Sequence, residues 1–562
     1  MAAKLLHLHT YFLFPFAINK EIATKEHIEQ WGKHVFWIHG LDECIAAART
    51  SGDSGVVQHL GPWQRAAYTR SDADSPAYQD MIFFHPFVRR IFFDTGEETT
   101  AQNLREPLIR CYSIPLGNSN KVWLSAEDMR GRSARVEVTD LRLFLFANGM
   151  GILSIGVEAS DISTKEALWI NETMRKIYPS SARQIREGRG PSRFEFSVER
   201  HGQATVVEEE TFSSARMRGM QPPLSQILKS LIYFLDYDKG EYEQLLDERM
   251  IVYSYAAIDP ASVPPDFIHS EEYEILLSLF LYVDQEAKTF RYDPEFVRAQ
   301  MKEHVYRRWA HEGTYYGFTS YSNITLCIGE YDRGEHMVKE GFLIHRMFDT
   351  RYYLMAIVSL FYRATLLDFA QKTALVSRRL FRDQEAGEIT RENIEMAAAL
   401  RAEILHFSNY WYFEELANKD EEIEHFMLMC RSYRIGAMKA EVEQEVEKLN
   451  AYMHEYNQKR STEAVNRLAM LSMIFGAGAV VTGFFGMNFQ REFGDLFFGG
   501  QGRYWWVHYG AILFVILMAF GVLAFGVYIV LANPTDYREI LTPRGLRPKP
   551  GRRRWYSLKR SL

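Results

Sequence analysis

GFFGMNFQREFG, running from Gly483 to Gly494, is where the sequence changes character. An uncharged run ends in it and a polar loop begins with Arg491 and Glu492. Working back, the 23 residues from Leu468 to Gln490 carry no charge. Working forward, Tyr504 to Asn533 carries none either, apart from the titratable His508. A bilayer core needs roughly 20 apolar residues of helix, so both runs qualify as spans. The reading is a first transmembrane helix over 468–490, an outer loop over 491–503 and a second transmembrane helix over 504–532. Lys459, Arg460 and Arg467 precede the first span, and a basic tail over 533–562, with Arg538, Arg544, Lys549 and Arg552 to Arg554, follows the second. The excess of cationic residues on these flanks predicts a two-pass protein of the plasma or inner membrane with both termini in the cytoplasm. Tyr504, Trp505, Trp506 and Tyr509 then form an interfacial aromatic belt. The lipid bilayer is thus the first partner, and the basic tail suits anionic headgroups.

The remainder of the 562-residue chain is too long for one ordinary core. A net charge of −7 gives no reason to expect nucleic acid as a partner. Cys44, Cys111, Cys327 and Cys430 are widely spaced and form no CxxC pair, so neither a disulfide framework nor a cysteine zinc cluster is expected. The N-terminal stretch, an apolar patch interrupted by His7 and His9, lacks a clean cleavage site and reads as folded structure. Residues 1–340 read as an α/β domain with a largely antiparallel sheet. Met81–Phe93 and Leu108–Ile114 read as strands, and Ala134–Ala159 as a hairpin turning at Asn148-Gly149. Gly149, Gly151 and Gly156 lack the spacing of a dinucleotide fingerprint. A polar insertion is expected near 179–224. From 341 to 467 strand signals stop and a long-helix stalk region is predicted, with helices over Phe342–Leu380, Thr390–Tyr433 and Met438–Leu468. No proline interrupts Met438 to Gly486, so the third helix is expected to run into the first span. The fold class is therefore α+β, followed by long stalk helices and two C-terminal transmembrane helices.

Within the first span, Ser472, Gly476, Ala479, Gly483 and Gly486 recur at alternating four- and three-residue steps, and Leu468 and Val465 extend the stripe backward. A small-residue stripe lets helices pack closely in lipid. It also leaves a lumen when several copies ring an axis. Asn488, in the same terminal turn as Gly486, offers a neutral acceptor and two donors. A ring of such amides would hold a hydrated cation through its water shell, which suits magnesium because that ion sheds water reluctantly. The bland alternative is a polar cap at the helix end. The first span holds no Asp, Glu, His or Cys, which argues against a dehydrated transition-metal site inside it.

Gly486-Met487-Asn488, placed after a long helix and before a short loop, a second span and a basic tail, resembles the GMN signature of the CorA magnesium transporter family. The resemblance implies a homopentamer in which five first spans line the pore, and a cytoplasmic domain that senses intracellular magnesium. It makes Gly486, Met487 and Asn488 the selectivity ring, and Gly483, Ala479, Gly476, Ser472, Leu468 and Val465 pore-lining, with Leu468 a candidate gate. Phe485 stands where the family usually has tyrosine, and the family's mid-span proline is absent from FGAGAVV.

Two acidic runs are candidate regulatory magnesium sites: Asp420, Glu421, Glu422 and Glu424, and Glu441, Glu443, Glu445 and Glu447. Solvated helix faces are the alternative. Glu492 and Asp495 would concentrate cations at the outer mouth. His304, His311 and Glu312 have no standard metal spacing. No P-loop or catalytic constellation is visible, so the expectation is no enzyme, no tightly bound cofactor, and magnesium as both substrate and regulatory ligand. The alternatives are the same architecture moving zinc, cobalt or nickel, and a membrane-anchored sensor or enzyme.

Overall fold

The computed structural model describes residues 3–19, 45, 55–67, 81–94, 108–116, 120–178, 182–187, 190–212, 221–246, 248–329, 343–385 and 390–486, with isolated positions between 506 and 524. It divides into two units, Met1–Leu449 and Asn450–Leu562. Within the first unit the described residues form a 13-stranded sheet. Its central strand is β1 (Lys4–Ile18), which pairs antiparallel with β6 (Met150–Ser163) on one side and β10 (Ile251–Ile258) on the other. Folded structure at the N-terminus is thus borne out, and in the most buried position of the sheet. All pairings are antiparallel except that of β10 with β13 (Ser322–Ile328).

β1 is buried on both faces, and the alternation of its side chains divides two chemistries. Leu8, Phe12, Phe14 and Phe16 enter the main apolar core, with Ala167, Leu168 and Ile170 of one covering helix and Leu276 and Leu277 of another. His7, His9 and Tyr11 face the other way, toward His345, Phe348 and Tyr353.

The expected hairpin is present as β5 (Ser133–Phe146) and β6, with Gly149 at φ 102° in the turn. Gly151 and Gly156 have packing roles: a Cβ at Gly156 would stand 2.8 Å from the Tyr11 ring, and one at Gly151 only 2.2 Å from that of Phe16. Glycine is what lets these rings lie flat on the neighbouring strand. The polar segment near 179–224 contributes a hairpin of its own, Pro191–Arg200 and Gln203–Thr211, at one sheet edge.

Met81–Phe93, expected as a strand, is mainly α1 (Pro86–Phe92). Pro86 in the first turn supplies a fixed φ and needs no donor there, which outweighs the aromatic β propensity. Only Phe84 keeps a strand-like bridge, to Ala417.

The first long-helix candidate is α2 (Leu343–Met347), a π-helical turn over Phe348–Tyr352 and α3 (Tyr353–Glu385). Ile344–Glu385 is apolar and long enough to cross a membrane, yet its most apolar window is mostly buried. It covers the second face of the sheet: Phe361 stacks on Phe146 at 4.2 Å, and the Tyr353 hydroxyl donates to Ser154 Oγ at 2.7 Å. This helix is therefore part of the sheet-bearing unit.

Thr390 caps α4 (Arg391–His406) as its sequence position suggests, accepting from Asn393 N. The single helix expected over 390–433 is broken: a π-helical turn over Phe407–Trp411 leads into non-helical chain, and α5 (Asp420–Ser432) starts anew. The break delivers Phe413 N to the Tyr362 hydroxyl at 2.9 Å and Ala417 to Phe84, contacts a straight helix could not make. α6 (Ile435–Gly486) then runs 52 residues without interruption. In the second unit the described positions 506, 510, 513, 514, 517, 521 and 524 are helical.

Candidate ion path and acidic clusters

The stripe of small residues lies on α6, whose last residue is Gly486. Val465, Leu468, Ser472, Gly476, Ala479 and Gly483 are all exposed in the single chain. Leu468 is 68% exposed and Phe475, off the stripe, 74%. No atom lies within 4 Å of a Cβ built at Gly476 or Gly483. So apolar a helix surface, open on every described side, requires lipid or other helices to cover it. Met487, Asn488, Glu492 and Asp495 lie outside the described residues.

The two acidic runs differ in what their side chains already do. In the first, Glu422 is buried and pairs with Arg351 at 3.2 Å. Burial raises the Glu422 pKa, and Arg351 opposes that rise. Glu421 accepts from Trp309 Nε1 at 2.9 Å and from the Tyr352 hydroxyl at 3.1 Å. Glu424 accepts from the Tyr306 hydroxyl and from Arg308. These three carboxylates seat α5 against the sheet edge and the π-helical turn over Phe348–Tyr352, while Asp420 is exposed and makes no such contact among the described residues. In the second run, Val442 and Val446 are buried while Glu441 and Glu447 are exposed and Glu445 is half-buried. Glu443 is held by Lys439 at 2.7 Å and by the Ser408 hydroxyl at 2.9 Å. Burial pushes its pKa upward, but these two partners outweigh it and leave a net lowering.

Two constellations escaped the sequence reading. A cavity of about 420 Å³ is bordered by Asp140, Arg142 and Asp349. Arg142 pairs with Asp140 at 2.5 Å, and the Tyr11 hydroxyl donates to Asp349. Burial raises the Asp140 pKa against the opposing pull of Arg142. Burial disfavours the Arg142 charge too, but Tyr11, Tyr353 and the two carboxylates outweigh it and keep the cation. The other is a group of three histidines, His7, His9 and His345. The alternation His-Leu-His was the only hint, since the third member comes from 336 residues away along the chain. His304, by contrast, meets Ser432, and His311 lies exposed beside Glu312, with no metal-like grouping.

Residues 355–531 match the family model described as CorA-like Mg2+ transporter protein. The match takes in most of α3, all of α4 to α6 and the Gly486-Met487-Asn488 signature, so the resemblance read from that signature is borne out. It covers just under a third of the chain, and the sheet lies outside it. No curated protein matches the chain.

Proposed function

We propose, from the CorA-like segment over residues 355–531, that this chain is a divalent-cation channel with magnesium as its main substrate. The observation that carries the reading is α6: one unbroken helix brings an open stripe of small residues to Gly486, immediately before Met487 and Asn488. Five copies assembled around an axis would turn the stripe inward, with Asn488 at the outer mouth and Leu468 and Val465 at the inner end. The second span would form an outer ring, with both termini in the cytoplasm. The neutral amide ring would select by hydrogen-bonding the ion's water shell rather than stripping it. The membrane potential suffices as the driving force: at about 2.3 kcal/mol per charge per 100 mV, a divalent ion gains roughly twice that on entry. Nothing in this mechanism requires a catalytic group.

Regulation by internal magnesium falls to the acids that the fold leaves available, Asp420, Glu441, Glu445 and Glu447. Like charges on neighbouring copies repel until cations bridge them, which would favour a closed state at high internal magnesium.

The test is magnesium uptake into proteoliposomes under an inside-negative potential, comparing wild type with Asn488→Ala at equal insertion. Wild-type flux is expected, with a loss on the order of tenfold or more in the variant, ~1.4 kcal/mol of ion stabilisation per decade. Equal flux in both would make Asn488 a helix cap. Zinc or cobalt flux without magnesium flux would move the assignment to a transition-metal transporter.

A further inference from the structure

A second ion chemistry is built into the sheet-bearing unit, far in sequence from the spans. His7 and His9 are two residues apart on β1, so both rings leave the same face of the sheet. Directly across on β6, Ser160 stands opposite His7 and Glu158 opposite His9. His345 descends onto them from α2. One ligand atom from each of the three histidines lies within 4.8 Å of the other two. His9 Nδ1 is 3.0 Å from His345 Nε2. The Glu158 carboxylate borders the group, 3.7 Å from both His7 Nε2 and His9 Nδ1. His7 Nδ1 meets the Ser160 hydroxyl at 3.4 Å, leaving Nε2 as the nitrogen aimed at the cluster.

We propose that His7, His9 and His345, completed by Glu158, form a binding site for a transition-metal cation of the zinc class. Three imidazoles and a carboxylate are a four-ligand set that zinc takes readily. Zinc–nitrogen bonds near 2.0–2.1 Å place tetrahedral donors roughly 3.3 Å apart. The His9–His345 pair at 3.0 Å and Glu158 at 3.7 Å are already close to this, and no histidine donor pair exceeds 4.8 Å. The set is wrong for magnesium, which takes oxygen ligands. Burial holds the His9 pKa well below its ordinary value, which keeps that ring neutral. A neutral imidazole keeps the lone pair that a metal needs. The Ser160 contact supplies the outer hydrogen bond that fixes a ligating ring.

The placement gives such an ion a consequence. β1 is the centre of the sheet, and His345 precedes by ten residues the start of the CorA-like segment. An ion held by both would clamp the beginning of that helix to the sheet. The inference is independent of the ion carried through the spans.

The experiment uses the full chain purified in detergent and stripped of metal with a chelator. Cobalt(II) is titrated in, and its visible spectrum is followed. One cobalt per chain with a tetrahedral spectrum is expected, displaced by zinc and unaffected by magnesium. His345→Gln, at a half-buried position, and the double variant His7→Gln/His9→Gln are each expected to weaken binding by more than ~10-fold. Asn488→Ala is expected to leave this signal unchanged, so failure of the channel reading and failure of this one are distinguishable. Should the double variant not fold, X-ray absorption on zinc-loaded wild type decides without it: imidazole nitrogen scattering supports the site. An oxygen-only shell, or cobalt binding that survives in folded His345→Gln, overturns it.

Discussion

His425 is a histidine with nothing to protonate for. It is fully buried on α5, enclosed by the rings of Tyr306, Tyr316, Phe318 and Tyr352. Burial, with a smaller push from Arg308, lowers its pKa to about 3. The sign of the consequence follows from linkage. Between the unfolded value near 6.5 and about 3, the unfolded chain binds a proton that the folded chain refuses, so stability is full above pH 6.5 and is lost as pH falls. The ceiling is ~5 kcal/mol at about 1.4 kcal/mol per unit. His425→Phe is therefore expected to flatten the pH dependence of thermal unfolding of the full chain between 6.5 and 3, with little loss at neutral pH. An unchanged slope would show that His425 does not carry the acid sensitivity. At this scale the sequence was least legible. Glu421, Glu422 and Glu424 read as one acidic run, but their environments are set by Arg351, Trp309, Tyr306 and Arg308, which come from distant positions. The three histidines converge for the same reason: β1 pairs with β6, and α2 returns over both.

Elements were far more legible wherever a local signal dominates. Asn148-Gly149 demanded a hairpin because only a tight turn with φ > 0 uses that pair so well. Thr390 marked a helix start, and the absence of proline after Met438 allowed α6 its full length. Failures came where another level intervened. Pro86 turned an aromatic strand pattern into a helix, and packing against Tyr362 and Phe84 broke the helix expected through 412–419. The long α3 shows why hydropathy needs a companion criterion: its apolar length serves a buried sheet face. On α6 the companion is exposure together with the small-residue stripe, and the two make a prediction. Gly476→Leu places a bulky side chain on the stripe, where nothing in the single chain obstructs it. If the stripe lines the pore, flux should fall on the order of tenfold or more. Phe475→Leu, off the stripe, should leave flux near wild type. The reverse pattern would mean that the stripe faces lipid or a packed neighbour.

For the whole molecule, the proposed channel raises the question of how it would close once its ion has accumulated. α6 offers a physical lever. Val442 and Val446 bury one side of it, while Glu441 and Glu447 are exposed and Glu445 is half-buried. Glu441 and Glu445 are one turn apart, so their like charges disfavour the helix slightly until a cation bridges them. In an assembly of identical copies the same acids repeat around the axis, and a divalent ion relieves repulsion both along the helix and between copies. Glu443 stands apart, because Lys439 and Ser408 already satisfy it. Neutralising Glu441, Glu445 and Glu447 together to glutamine should therefore raise the internal magnesium needed for half-inhibition of flux by about tenfold, ~1.4 kcal/mol. Glu443→Gln alone should shift it much less, since that charge is spent on its own neighbours. The readout is proteoliposome flux at fixed potential over a series of internal magnesium concentrations. Half-inhibition unmoved by the triple variant would remove these acids from regulation while leaving the ion path intact, because none of them lies on the stripe that ends at Gly486.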